Sequence, residues 1–416
     1  MTIRSLRGAR PTSGGSPSRR RARRAYALVA AIGAAALLLS ACSSGEGGAS
    51  GGSSGGATVQ AIDPSNFTFP PCEQPMNCAA VPGFPDMGQA GAIQEFCPSE
   101  PITVALLDGI GNNQWRKITR AEFEDEASRC PGMQAVYLSA DGSQQTFLSH
   151  LNSLVSRGIK VMVLYNDFGM ATLPTITDYY KQGVHIALHG APVSPDAVDG
   201  VDYTSITVGD SYGSGVQSAE FLNKVLPNGG TVIYIGGTPG NQLDPEFVKG
   251  YADTANSNIQ IAEQVTGGWT YDGNLQAVVP LLSKYDKIDA IVTSYTATAA
   301  GAVQAFINAG LPVPYLVGQS TSMQNVCQYE QIIKNQPDYQ MFSIDGDQMF
   351  VRIALRKALA EYMGVPDTVD PGPGPINNQP LVDTSKGLVP KCDPSAPPGT
   401  GFASDLPQDE VLAISQ

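Results

Sequence analysis

Between residues 102 and 362, apolar runs too short for a helix alternate with longer amphipathic stretches, and this alternation limits the fold more than any other feature. A run such as Ile102–Leu107 has no polar face, so as a strand it must be covered on both sides. Strands are expected at Ile102–Leu107, Tyr137–Leu138, Lys160–Tyr165, Val184–Leu188 and Ser205–Val208. Five more follow at Gly230–Ile235, Ile259–Glu263, Ala290–Thr293, Tyr315–Val317 and Tyr339–Ile344. Helical patterns separate them at Gln114–Ser128, Gln144–Arg157, Thr175–Gln182, Gly215–Val225 and Pro245–Ala255. The later ones are Asn274–Lys284, Thr298–Ala309, Met323–Lys334 and Gln348–Tyr362. The second of these helices puts Phe147, Leu148, Leu151, Leu154 and Val155 on one stripe. Strands alternating with helices read as an α/β chain. About ten strands exceed one domain of this length and divide near Val208. The expectation is two similar three-layer α/β/α lobes with parallel sheets. Ligands of such sheets bind at the carboxyl ends of the strands, in a cleft between the lobes.

The chain begins differently. Eight arginines and no acid lie between Arg4 and Arg24, and an apolar run follows from Ala27 to Leu39. Leu39-Ser40-Ala41-Cys42 then closes it, a pattern that resembles a bacterial lipoprotein signal. Cleavage before Cys42 and acylation of its thiol would hold the protein on the extracellular face of the cell membrane. The apolar stretch, about 15 residues, falls short of the ~20 that a membrane-spanning helix needs. Without residues 1–42 the chain has 17 Lys plus Arg against 38 Asp plus Glu, a net charge of −21. That surface repels nucleic acid. Residues 43–60 read as a flexible Gly/Ser linker, 61–100 as a Pro- and Cys-rich lead-in, and 376–416 as a Pro-rich tail that wraps the surface or stays mobile.

Beyond Cys42, six cysteines remain, which allows up to three disulfides in fifteen pairings. Cys72 and Cys78 are near enough to close a small loop, Cys97 and Cys130 flank the first strand and helix, and Cys392 is placed to tie the tail back to Cys327. No cysteine spacing suits zinc.

Catalytic signatures are missing. There is no Gly-x-Ser-x-Gly elbow and no His-Glu-x-x-His. Of three histidines, His150 falls inside an amphipathic helix and His185 starts a strand, both structural positions. The GGTPGN segment precedes a helix but lacks the Lys-Ser/Thr of a phosphate loop. No cofactor, metal or catalytic residue is expected, so the chain reads as a binder and not an enzyme. Both tryptophans, Trp115 and Trp269, follow strand tips. Flat aromatics with amide and carboxylate neighbours suit the C–H faces and hydroxyls of a sugar ring. Core packing at a helix start is the other reading of each.

The segments VALLDGIGNNQWRKI, HIALHG, TVGDSYGSG, VIYIGGTPGN…FVKGY, IDAIVTSYTATAAGAVQAFINAG and YLVGQS, in this order over about residues 101–364, resemble the periplasmic sugar-binding proteins of the ribose/galactose/xylose type. That resemblance implies the type 1 periplasmic-binding fold, with one lobe from 101–208 plus 345–375 and the other from 209–344. It implies three crossings between lobes, with hinges at Val208–Gly209 and Ile344–Asp345. It implies ring-stacking roles for Trp115 and Trp269 and a ligand-binding Asn113. Asp108 and Asp210 match tip positions where capping a turn or helix explains an acid equally well. Asn241 and Gln242 follow GGTPG, Tyr295 stands where the family often has Asn, and Gln319-Ser320 where it often has an aromatic and Asp. His189-Gly190 replaces the family's Asp-Arg, and Phe247 lies near the place of a missing arginine. The pocket should therefore be less charged and more aromatic than a ribose site, with Arg116 the one cation beside it. An inward Arg116 would open the site to a carboxylated ligand.

The expected function is a substrate-binding lipoprotein of an ABC importer. It would be a monomer that passes a small neutral solute (sugar, polyol or ring compound) to a membrane permease. A ligand-sensing receptor of the same fold, a binder of a nucleoside or aromatic metabolite, and an extracellular hydrolase are the alternatives.

Overall fold

The computed structural model describes residues 93–111, 113–191, 193–194, 196–345, 348–366 and 379–415. The stretch expected as a lipoprotein signal, with Cys42, the Gly/Ser stretch, and Cys72 and Cys78 lie outside the described residues.

The first lobe is built from β1 (Ile102–Asp108), α1 (Gln114–Ser128), β2 (Met133–Ser139), α2 (Gln144–Ser156), β3 (Val161–Tyr165), α3 (Leu173–Lys181), β4 (His185–His189) and β5 (Ser205–Thr207). Its sheet has the order β2-β1-β3-β4-β5, with every pair parallel. β3 is buried along its whole length, which explains its unbroken Val-Met-Val-Leu-Tyr sequence. In α2 the buried side chains are Phe147, Leu151 and Leu154, one stripe at helical spacing, and Ser143 accepts the N–H of Thr146 as the N-cap.

The second lobe follows with α4 (Ser211–Val225), β6 (Val232–Gly236), α5 (Leu243–Thr254), β7 (Ile261–Thr266), α6 (Tyr271–Val278), α7 (Leu281–Lys284), β8 (Ala290–Thr293), α8 (Thr296–Asn308), β9 (Tyr315–Gln319), α9 (Met323–Ile332) and β10 (Met341–Asp345). The helix expected over Asn274–Lys284 is split in two, because Pro280 has no N–H to continue the ladder.

α10 (Phe350–Met363) returns to the first lobe, packing on β3, β4 and β5. A buried ion network pins it there: Arg352 pairs with Glu122, Asp125 and Glu126, and Arg356 with Glu126. Removing one partner from such a network typically costs ~3–5 kcal/mol, since the other charge is stranded out of water.

The tail departs from the expectation of a surface wrap. β11 (Gln379–Asp383) joins the second sheet antiparallel to β10, giving the order β11-β10-β9-β8-β6-β7. α11 (Gln408–Ser415) packs against α1 of the first lobe. Among the described residues two disulfides form, Cys97–Cys130 spanning β1 and α1 and Cys327–Cys392 between α9 and the tail. No helix among the described residues is long and apolar enough to cross a membrane.

In each sheet the strand order reverses direction once, at β1/β3 and at β6/β8. Helices leaving on opposite faces there open a crevice at the carboxyl ends of these strands.

Candidate functional site

A cavity enclosing roughly 410 Å³ of atom-free space, part of it open to solvent, lies at those strand ends. The first lobe contributes Asn113, Trp115 and Arg116 after β1, and Tyr165 at the end of β3. The second lobe contributes Leu243 after β6, Trp269 after β7, Ser294 and Tyr295 after β8, and Gln319 and Ser320 at β9. Six residues anticipated from sequence meet here: Asn113, Trp115, Arg116, Trp269, Tyr295 and Gln319.

The floor on the first-lobe side is electrostatic. Arg116 points inward and is 3 % exposed. Its Nη1 donates to Asp108 Oδ1 at 3.0 Å and its Nη2 to Asp167 Oδ1 at 2.8 Å. Its guanidinium carbon sits 3.2 Å from the centroid of the Tyr165 ring. Asp108 also accepts the N–H groups of Ile110 and Gly111, both at 2.9 Å, so it shapes the loop from behind Arg116. One guanidinium between two buried carboxylates leaves the cluster short of positive charge. Burial therefore pushes the Asp167 carboxyl up to about 7, although Arg116 pulls the other way. Asn241 Nδ2, from the second lobe, reaches Asp167 Oδ1 at 3.4 Å across the cleft.

The aromatic walls differ in support. Trp115 stacks on the imidazole of His189, with ring planes 9° apart and centroids 6.4 Å apart. His189 is buried behind it, neither ring nitrogen has a partner, and burial then Arg116 push its pKa down to about 3. Opposite, Trp269 donates its indole N–H to Ser294 Oγ at 3.0 Å, and Ser294 in turn donates to Asp244. Asp244 is further held by the Tyr234 hydroxyl at 2.6 Å and the Gly237 N–H at 2.7 Å. Trp269 and Ser320 adopt positive φ, +53° and +61°. Two strained side chains facing one cavity fit a preorganised site. Gly237 lies under the Trp269 ring, where a Cβ would come within 1.8 Å of it.

Gln319 is 2 % exposed, and neither its amide oxygen nor its nitrogen has a hydrogen-bond partner. Leaving a buried amide unpaired costs ~1–3 kcal/mol, so this group is suited to a polar ligand that supplies both a donor and an acceptor.

The remaining anticipated residues lie elsewhere. Asp210 caps α4 by accepting the Gly213 N–H at 2.7 Å, and Gln242 bonds the carbonyl of Gly240 in its own loop. Asp108, His189 and Asn241 lie buried outside the lining, behind or between the wall residues. His185 pairs with Glu361, a structural contact to α10. Phe247 is fully buried in the second lobe's core.

The lining carries one charged residue, Arg116, together with two tryptophans and two tyrosines. Asp167, from the loop after β3, restores an acid beside a guanidinium, Arg116, by a different route from the one missing at His189-Gly190. Tyr165 and Asp167 sit at a strand tip not weighed from sequence, Tyr165-Asn166-Asp167, although its position after a buried apolar run marked it. Ser294 carried the same signal, directly after β8, whereas Leu243 did not. Among the described residues no group of three or more His, Cys, Asp or Glu could hold a metal ion.

Residues 104–338, more than half of the chain, match the periplasmic binding protein domain family. The D-xylose-binding periplasmic protein of Escherichia coli is 25 % identical over 213 residues, which span 49 % of this chain and 62 % of that protein, under two thirds of its length. The Caulobacter myo-inositol binding protein, solved with myo-inositol, superposes with a TM-score of 0.57 at 20 % identity, over 70 % of this chain and 96 % of that one. A Mycobacterium smegmatis protein solved with β-D-fucofuranose gives 0.58 at 17 % identity, over 68 % and 92 %.

Proposed function

This chain belongs to the periplasmic binding protein family, and from that premise we propose that it captures one small, neutral, sugar-like solute between its lobes and delivers it to an ABC permease. The family places it outside the cytoplasm as a binding protein without catalysis. We further propose that it acts as a monomer, anchored through a lipid on Cys42.

The observation that carries the ligand class is the pairing of Arg116. A cation already shared by Asp108 and Asp167 has no charge to offer an anion, so a carboxylated or phosphorylated solute would meet a cluster that is not positive. The unpartnered Gln319 amide suits hydroxyl groups, which donate and accept together, and Trp115 and Trp269 suit the C–H faces of a ring. The relatives named for D-xylose and solved with myo-inositol or a furanose sugar support the same class.

A thermal-shift screen over pentoses, hexoses, inositols, nucleosides and carboxylated sugars tests it. A neutral polyhydroxy ligand at a hundred times its dissociation constant should add roughly 2.7 kcal/mol of apparent stability. Stabilisation by acidic or phosphorylated compounds alone would sink the neutral-ligand reading. Because Trp115 and Trp269 are the chain's two tryptophans, the same ligand should also change its intrinsic fluorescence.

A further inference from the structure

The stretch from Cys392 to Leu406 is attached to both lobes. On the second lobe, Cys392 is bonded to Cys327 of α9, and its N–H donates to Glu330 Oε1 at 2.9 Å. The N–H groups of Met323 and Gln324, at the start of α9, donate to the carbonyls of Thr400 and Pro398, each at 2.8 Å. Gly401 bridges Ser322, and Phe402 is packed into the second lobe's core.

Two residues later the chain is fastened to the first lobe. Ser404 Oγ and the Asp405 N–H both donate to Glu122 Oε1 of α1, at 2.6 and 2.7 Å. Glu122 is itself buried in the Arg352 network. Leu406 and Val411 then pack on Ile118.

An extended chain covers at most ~3.6 Å per residue, so the link from Gly401 to Ser404 can reach roughly 11 Å. Opening of the cleft must therefore pivot about this link or break one of its anchors. The link also borders the ligand cavity. Gly399 and Gly401 enclose a side chamber with Trp115, Tyr295, Ser320 and Gln348, and three of these also line the main cavity or its rim.

We propose that residues 392–406 form a strap between the lobes, held on the second by the Cys327–Cys392 disulfide, which restricts how far the cleft opens. The strap accounts for a tail that completes one lobe, crosses beside the site and ends on the other. It acts on the empty protein and does not depend on which solute binds.

The direct test is a slack strap that keeps both anchors: roughly six Gly/Ser residues inserted between Ala403 and Ser404, about 13 Å of flexible reach. The readout is acrylamide quenching of the ligand-free protein, since Trp115 and Trp269 are each 8 % exposed and face the cleft. The Cys327→Ser/Cys392→Ser double variant, which spares Cys97–Cys130, is measured in parallel. Cooperative melting of each protein shows that it is folded, so either variant suffices if the other fails. The expected result is a quenching constant raised by roughly two-fold or more in the slack strap, as the lobes sample wider states, with a rise in the same direction when the disulfide is lost. Quenching equal to that of the unaltered protein in a folded slack-strap variant overturns the proposal. So does quenching equal to it in a folded double-serine variant, should that be the one recovered.

Discussion

Asp167 and His189 titrate in opposite senses beneath the same cavity, and this sets a testable pH signature. Asp167 in the folded protein keeps its proton up to about 7, against 3.8 for an ordinary aspartate. Between those values the folded state holds a proton that the unfolded chain has released, so stability falls as pH rises through that window. His189 resists protonation down to about 3, against 6.5. Between those values the unfolded chain binds a proton that the folded state refuses, so stability rises with pH. From pH 4 to 6.5 the two slopes cancel.

Each contributes about 1.36 kcal/mol per pH unit, or roughly 3 kcal/mol across the window. Asp167→Asn removes the falling slope. Measured against the unaltered protein, this variant should gain roughly 3 kcal/mol of relative stability as pH rises from 4 to 6.5. His189→Gln should lose a similar amount over the same range. Urea unfolding at four or five pH values gives both difference curves, and groups elsewhere in the protein cancel in the subtraction. Two flat difference curves would show that neither group is perturbed, and with them the buried charge cluster would fall as an account of the site.

Ser320→Gly should stabilise the protein by up to about 1 kcal/mol, because the left-handed backbone costs a side chain ~1–2 kcal/mol and glycine gives back part of that in chain entropy; calorimetry should show a melting temperature higher by ~2–4 °C. Gly237→Ala drives a Cβ into the Trp269 ring, so it should cost ~1–3 kcal/mol of stability and weaken the best ligand of the thermal-shift screen by roughly ten-fold, read by fluorescence titration. Cys97→Ser with Cys130→Ser opens a loop of sequence separation 33 and should lower unfolding free energy by about 4 kcal/mol in urea.

The sheets were legible because a strand covered on both faces must be continuously apolar, and Val161–Tyr165 and residues 290–292 are. β11 was not, because Gln379-Pro380-Leu381-Val382-Asp383 carries a proline that a central strand would refuse and that an edge strand tolerates. α11, eight residues long, had too few turns for a periodic signal. In the site, positions such as Trp115, Trp269 and Gln319 could be found because they follow strand tips. Asp167 could not be ranked this way, since its importance comes from Arg116, fifty-one residues earlier in the chain and met only through the fold. Asp210 shows the converse: an acid at a strand tip whose observed work is to cap α4.

The chain's route through its lobes also has a consequence for biogenesis. The first lobe lacks its covering helix until Phe350–Met363 is made, and the second lacks its edge strand until Gln379–Asp383 is made. During synthesis, then, β10 would present an unpaired edge, the kind of surface on which chains aggregate. Neither lobe is complete until these residues have been made. A polypeptide delayed in this way stays threadable for longer, which favours passage through a translocation pore ahead of folding. Oxidation of Cys327 with Cys392 would then tie α9 to the chain just beyond β11.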